Sequence, residues 1–330
     1  MLRLSPEGFY RLFQNDHFRG GFGGAEANVA VSLAMFGMDS CFVTKVPNHV
    51  VGQAAINSLR SQGVDTSKIV RGGERLGIYF QEKGVSQRSG MCIYDRAHSA
   101  IAEAAATDFD WNEIMDHADW FHFTGITPAL GANVEAMCED ACRAAKRNGA
   151  IISCDLNYRE KLWTREAAYK AMSRLCRYVD VCVANEEDAK NVFEISAEGT
   201  DALAGIINRD AYSKVAQSLM NMLGISCIAF TLRESDSASI NRWSGMLFDG
   251  EKAYFSRTYS LHIVDRIGGG DSFSAGLIYA LLQKKNPQQA VEFAAAASAL
   301  KQSIEGDYNR VSVAEVNRLV HGDMSGRVQR

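Results

Sequence analysis

The chain has 330 residues, 47% hydrophobic and 22% charged, the balance of a folded globular protein rather than a disordered or fibrous one. Its 35 Lys and Arg against 39 Asp and Glu leave a net charge of −4, without the basic excess expected of a nucleic-acid or membrane-surface binder. With 4 prolines, Pro-rich linkers are excluded as well.

In chain order, Phe18–Phe22 reads as extended and Ala25–Gly37 as a helix that stops at glycine. A short apolar run, Cys41–Val46, leads to a second helix near His49–Gly63. Leu76–Arg96 then looks like paired extended pieces with no helix between them. From Ala118 the rhythm becomes regular: strand Ala118–Thr124, helix Ala132–Asn148, strand Ala150–Asp155, helix Arg165–Arg177, strand Val179–Val183, helices Glu186–Phe193 and Ala211–Leu223, strand Ser226–Leu232. Apolar runs without polar alternation, each followed by a helix, predict βα units and a parallel sheet buried on both faces. The expected fold is therefore a doubly wound, three-layer α/β domain spanning 1–330. The extended segments near 15–23 and 76–97 would form a small β lid projecting from it. Ser239–Arg257 would be a hairpin at the sheet edge, turning at Phe248-Asp249-Gly250-Glu251.

The eight cysteines form no C-x-x-C pair. Cys138 and Cys142 lie four apart on an Ala-rich helix without nearby histidine, which favours buried small hydrophobes over a metal site. Free thiols, no apolar signal core and no run of ~18 apolar residues lead to the expectation of a cytoplasmic protein with no membrane partner.

The chemistry concentrates in Ile263–Leu282, IVDRIGGGDSFSAGLIYALL. A strand end meets Gly268, Gly269 and Gly270, then Asp271 and an apolar helix. Glycine lets the backbone approach a ligand closely, and amides at a helix start converge on an anion such as phosphate. Asp271 has two readings: a helix cap, a role Ser272 could also fill, or a base beside a transferring phosphoryl group. The run fits neither G-x-x-x-x-G-K-[ST] nor G-x-G-x-x-G.

VDRIGGGDSFSAGLIYAL resembles the C-terminal signature of the ribokinase-like (PfkB) sugar kinases, D-T-x-G-A-G-D-x-F. Gly23-Gly24-Ala25-Glu26-Ala27-Asn28-Val29-Ala30 resembles their N-terminal one. TGITPAL (124–130), SCDLNYREKLW (153–163), ANEEDA (184–189), TLRES (231–235) and Tyr94-Asp95-Arg96 are similar to the branch acting on 2-keto-3-deoxygluconate. The resemblance implies transfer of the ATP γ-phosphoryl group to the sugar acid's 6-hydroxyl. Asp271 would be the catalytic base and the Gly268, Gly269 and Gly270 amides the anion hole. Gly24, Asn28, Tyr79, Tyr94, Arg96, Arg159 and Asp307 would meet the sugar acid. Asn157, Asn185, Asp188, Thr231 and Arg233 would border ATP, with Mg²⁺ carried by phosphates and water rather than by protein ligands. Tyr79 as sheet packing, Arg96 as a surface charge, Asp307 as a turn residue and Asp188 as a helix-dipole acid remain alternatives at this stage. Another sugar or sugar acid (fructose, ribose, a deoxygalactonate) and a non-catalytic binding role also stay open. Relatives carry a further strand with a Gly-(Asp/Glu) pair ahead of the segment like Met1–Ser5, so that strand is expected to be missing here. Lid strands that pair between copies imply a homo-oligomer.

Overall fold

The computed structural model describes residues 1–197 and 208–323. It opens with strands β1 (Leu2–Ser5) and β2 (Arg19–Phe22), helix α1 (Ala25–Met35), strand β3 (Thr44–Val46), helix α2 (Val50–Arg60) and strands β4 (Ile69–Arg71), β5 (Ile78–Glu82) and β6 (Met91–Asp95). Next come α3 (Trp111–Met115), β7 (Trp120–Thr124), α4 (Ala132–Arg147), β8 (Ile151–Asp155), α5 (Arg165–Leu175), β9 (Val181–Ala184), α6 (Glu186–Phe193), α7 (Arg209–Leu223) and β10 (Cys227–Ser235). The last part holds β11 (Ile240–Phe248), β12 (Ala253–Phe255), β13 (Tyr259–His262), α8 (Gly269–Leu282), α9 (Pro287–Lys301) and α10 (Val313–Val320).

Strands β7 to β10 lie side by side in chain order and parallel, because each connection between them carries helix. The absence of polar alternation follows from burial on both faces. Cys154, Cys182, Ile228 and Phe230 pack with α4, α5 and α7, while Val181, Val183 and Ala229 pack with α1, α8, α9 and α10. Neighbouring residues of one strand thus serve two cores, giving the expected three α/β/α layers. The hairpin expected in Ser239–Arg257 is β11 with β12, antiparallel at the sheet edge, and β13 also pairs β11. The Asp249 carboxylate fixes its turn by accepting from the Glu251 and Lys252 amides. At the opposite end β7 pairs with β8 alone among the described residues.

Three outcomes differ from the sequence reading. The Cys41–Val46 run does not join the large sheet. Only Thr44–Val46 is strand, paired with β4 in a separate two-stranded sheet, and exposed Cys41 makes a lone bridge to Asp65. The four-stranded sheet, in order β2-β1-β5-β6, uses strands from both extended segments but is built around β1 as an inner strand. Finally, α9 is an unforeseen helix. Its Ala294–Ala297 stretch is buried, leaving none of the one-sided periodicity that marks a surface helix.

Candidate active site

The parallel strands end on one side of the sheet at Thr124, Asp155 and Ala184, and β10 passes Thr231 there; open α/β sheets present ligand crevices at such carboxyl ends. A cleft of about 1180 Å³ runs along these ends beneath the four-stranded sheet. Its walls include Gly24, Asn28, Tyr79, Tyr94, Arg96, Asn157, Arg159, Asn185, Thr231, Gly268, Gly269, Gly270, Asp271 and Asp307. Residues up to 283 positions apart thus share one cavity, as the motifs led us to expect. Asp188 and Arg233 are not among its walls.

Gly268 caps α8 in the left-handed region at φ 81°, and no side chain supplies the cap. A Cβ there would stand 2.2 Å from the Asp307 carbonyl oxygen, so the position demands glycine for both conformation and space. The cap reading of Asp271 and Ser272 is therefore corrected: Asp271 is already inside the first turn. Its carboxylate Oδ2 accepts from Asn28 Nδ2 at 2.7 Å. Burial in the cleft raises the Asp271 pKa to about 7, the Asn28 hydrogen bond opposes the rise, and Asp307 and Glu26 add to it. That value suits a proton acceptor working near neutrality.

On the opposite wall Arg96 lays its guanidinium over the Tyr94 ring, 3.9 Å from the centroid. Its Nε and Nη1 atoms are buried without a hydrogen-bond partner. Burial holds its pKa below the ordinary value, with Arg159 adding to the effect. A buried, half-satisfied guanidinium is costly unless an anion meets it. Arg159 is exposed along the cleft and donates to the Tyr158 carbonyl.

Tyr79 and Asp307 face the cleft with their polar atoms already engaged. The Tyr79 hydroxyl donates to Asp307 Oδ1 at 2.5 Å, and Arg3 Nη1 donates to the same oxygen at 2.8 Å. Arg3 also reaches Asp265 Oδ2 at 2.5 Å and Gln81 Oε1 at 2.6 Å. This buried network braces the cleft floor. Gly23 lies so close to Asp307 that a Cβ would sit 1.9 Å from Oδ2.

Asp188 completes a capping box with Asn185 at the start of α6, and its other oxygen accepts from the Tyr158 amide. Both oxygens are spent on backbone, so its role is to hold the Asn157–Arg159 turn, where Asn157 takes φ 39°. Burial raises its pKa to about 6. Arg233 is exposed on β10 and, through its charge, helps burial to depress the pKa of Arg266 beside the glycine run.

Two cleft residues went unlisted in the sequence reading although both stand inside quoted motifs. Glu26 Oε1 accepts from the Thr124 amide at 3.1 Å, the Thr124 hydroxyl at 2.8 Å and the Thr127 hydroxyl at 2.5 Å, tying α1 to the end of β7. Asp155, at the end of β8, is buried, and its pKa is driven well up by burial and by the charges of Asp188 and Asp271.

Residues 7–312 match the family described as pfkB family carbohydrate kinase. A solved 2-dehydro-3-deoxygluconokinase from Thermotoga maritima superposes with a TM-score of 0.94 at 51% identity, covering 98% of this chain and 97% of that one. A 2-dehydro-3-deoxygalactonokinase of Haloferax volcanii is 28% identical over 99% of this chain and 96% of its own length. A 2-dehydro-3-deoxygluconokinase of Thermoproteus tenax is 29% identical over 86% and 80%.

Proposed function

Because the chain belongs to the pfkB family of carbohydrate kinases, we propose that it transfers the γ-phosphoryl group of ATP to the 6-hydroxyl of 2-keto-3-deoxygluconate. The observation that carries this reading is Arg96. Its two unpartnered buried N–H groups share a cleft with Asp271, and a sugar acid supplies a carboxylate for the first and a hydroxyl for the second. The similarity to the Thermotoga maritima enzyme supports the same substrate.

In this mechanism Asp271, as carboxylate, accepts the proton of the attacking hydroxyl while Asn28 fixes its orientation. The amides of Gly268, Gly269 and Gly270, at the positive end of α8, stabilise negative charge on the transferring oxygens. Arg159, Arg233 and Arg266 supply a cationic border for the nucleotide's phosphates. Asn157, Asn185 and Thr231 line the same side. Bound Mg²⁺ would offset phosphate charge. An ion carried by phosphates and water needs oxygen groups near the nucleotide side of the cleft, and Asp155 and Asn185 line that cleft. Asp155 and Asn185 are the groups that would reach it through water.

A coupled assay of ADP release across a sugar panel tests the reading. The expected order places 2-keto-3-deoxygluconate first in kcat/KM, and faster turnover of fructose or ribose overturns it. The 4-epimer, 2-keto-3-deoxygalactonate, is the second reading, favoured by the Haloferax volcanii relative that matches 99% of this chain.

A further inference from the structure

The large sheet and the β3–β4 pair stand on either side of a groove. Trp120, His122 and Phe123 of β7 and Thr44, Lys45 and Val46 of β3 line one cavity, continuous with the cleft. Among the described residues β7 pairs only with β8, and β3 only with β4. Peptide groups along a strand turn alternately to its two sides. The Asp119 carbonyl and Gly125 amide, flanking β7, bond to β8, which turns the peptide groups of Trp120, His122 and Thr124 the other way. The Thr124 amide accordingly finds a side chain, Glu26 Oε1. On the β3 side the Phe42 amide bonds to Asp65 and the Val46 carbonyl to Gly72, which turns those of Val43 and Lys45 away from β4. Two rows of open peptide groups thus border the groove, the arrangement that recruits a strand.

The groove is apolar on both faces, with Val29 and Leu33 of α1 on one and Ile114 and Met137, from α3 and α4, on the other. The Met1 ammonium lies in the same cavity and donates to the Gly23 carbonyl at 2.7 Å. Burial lowers its pKa to about 6, against the charges of Asp307 and Glu26 and with that of Arg96. A charge is costly to bury there, and an amide nitrogen in its place carries none. Gly23 and Glu26 flank the start of α1, and Glu26 also holds Thr124, so Met1 stands at the carboxyl end of β7.

We propose that the groove is a strand-acceptor site whose occupant is an N-terminal extension of this chain, an apolar strand of about five residues joined to the Met1 nitrogen. Ending at Met1, it runs parallel to β7. It pairs with β7 on one side and β3 on the other, fusing the two-stranded sheet to the large one. Burial on both faces requires an apolar run without polar alternation.

The test adds Ala-Val-Val-Ile-Val-Gly ahead of Met1 in the full chain. Two controls carry the same extension with proline at its centre, or a Ser-Gly repeat of equal length. The apolar form should melt about 5–10 °C above the unaltered chain, and the Trp120 and His122 amides should exchange about 10-fold more slowly or better. Proline removes a ladder donor and should cancel both gains. Neither readout uses sugar or nucleotide, so both stand even if the substrate proposed above is wrong. Equal melting of the apolar and Ser-Gly forms overturns the proposal, as does a proline form that keeps the full gain. So does a capped free peptide of the apolar sequence that stabilises the unaltered chain as well as the fused one, since the join to Met1 would then add nothing. If the unaltered chain is insoluble, refolding yield replaces melting: recovery of the apolar form alone supports the proposal, and equal yields of the three extended forms overturn it.

Discussion

Asn28 and Asp271, 243 residues apart, meet at 2.7 Å, the side-chain amide of one helix start donating to the carboxylate of another. The pair couples the two glycine-rich segments of the chain: α1 follows Gly23 and Gly24, and α8 follows Gly268. It also opposes the rise in pKa that burial imposes on Asp271, the base proposed above.

Replacing Asp271 by Asn keeps shape and removes the acceptor. We expect a folded protein with kcat lower by about 10²- to 10⁴-fold, the usual worth of a general base. Circular dichroism with single-turnover ADP release checks this, and retained turnover would remove Asp271 from the base role.

In the unaltered protein the active form of Asp271 is the carboxylate, so kcat/KM should rise with pH through about 7. Losing the Asn28 donor favours the protonated acid. Asn28→Ala should therefore move that limb to higher pH, and a limb that stays or moves lower would show that the hydrogen bond does not govern the acidity.

Arg96→Ala deletes the half-satisfied guanidinium. Loss of a charge-assisted contact corresponds to about 10- to 100-fold in KM for a sugar acid, with KM for ATP nearly unchanged. Steady-state kinetics against both substrates separates the two. An equal rise in both would instead mark general damage to the cleft.

Gly268→Ala forces a Cβ against the Asp307 carbonyl in a left-handed turn. A loss of about 1–3 kcal/mol in stability is expected, together with weakened turnover. Chemical denaturation measures the first, and a variant as stable as the parent would mean that the turn relaxes freely.

How much of this was legible beforehand depends on the range of the contacts involved. The glycine turn and the βα rhythm are local strings, and the structure has both where the sequence puts them. The start of α8 was misjudged because Asp and Ser are common caps, whereas a left-handed glycine ends the preceding turn here. Arg3 and Lys301 gave no local sign. Arg3 acquires its partner Asp307 from 304 positions away, and Lys301 looks like any helix-terminal lysine until two loops fold over it. Asp188 was read for its charge, but a capping box and the Tyr158 amide claim both its oxygens.

Glu26 lines the same cleft as Asp271 and is just as acidic a residue type, yet three threonine-derived donors converge on its Oε1. An oxygen so surrounded is a poor thief of hydrogen from an alcohol. It nevertheless contributes to the negative field that keeps its neighbour Asp271 basic. Two of the cleft's acids thus have opposite temperaments. Glu26 is tied to the end of β7 through Oε1 and is felt as a charge, while the mechanism proposed above gives the incoming proton to Asp271, whose Oδ1 lies outside the Asn28 hydrogen bond.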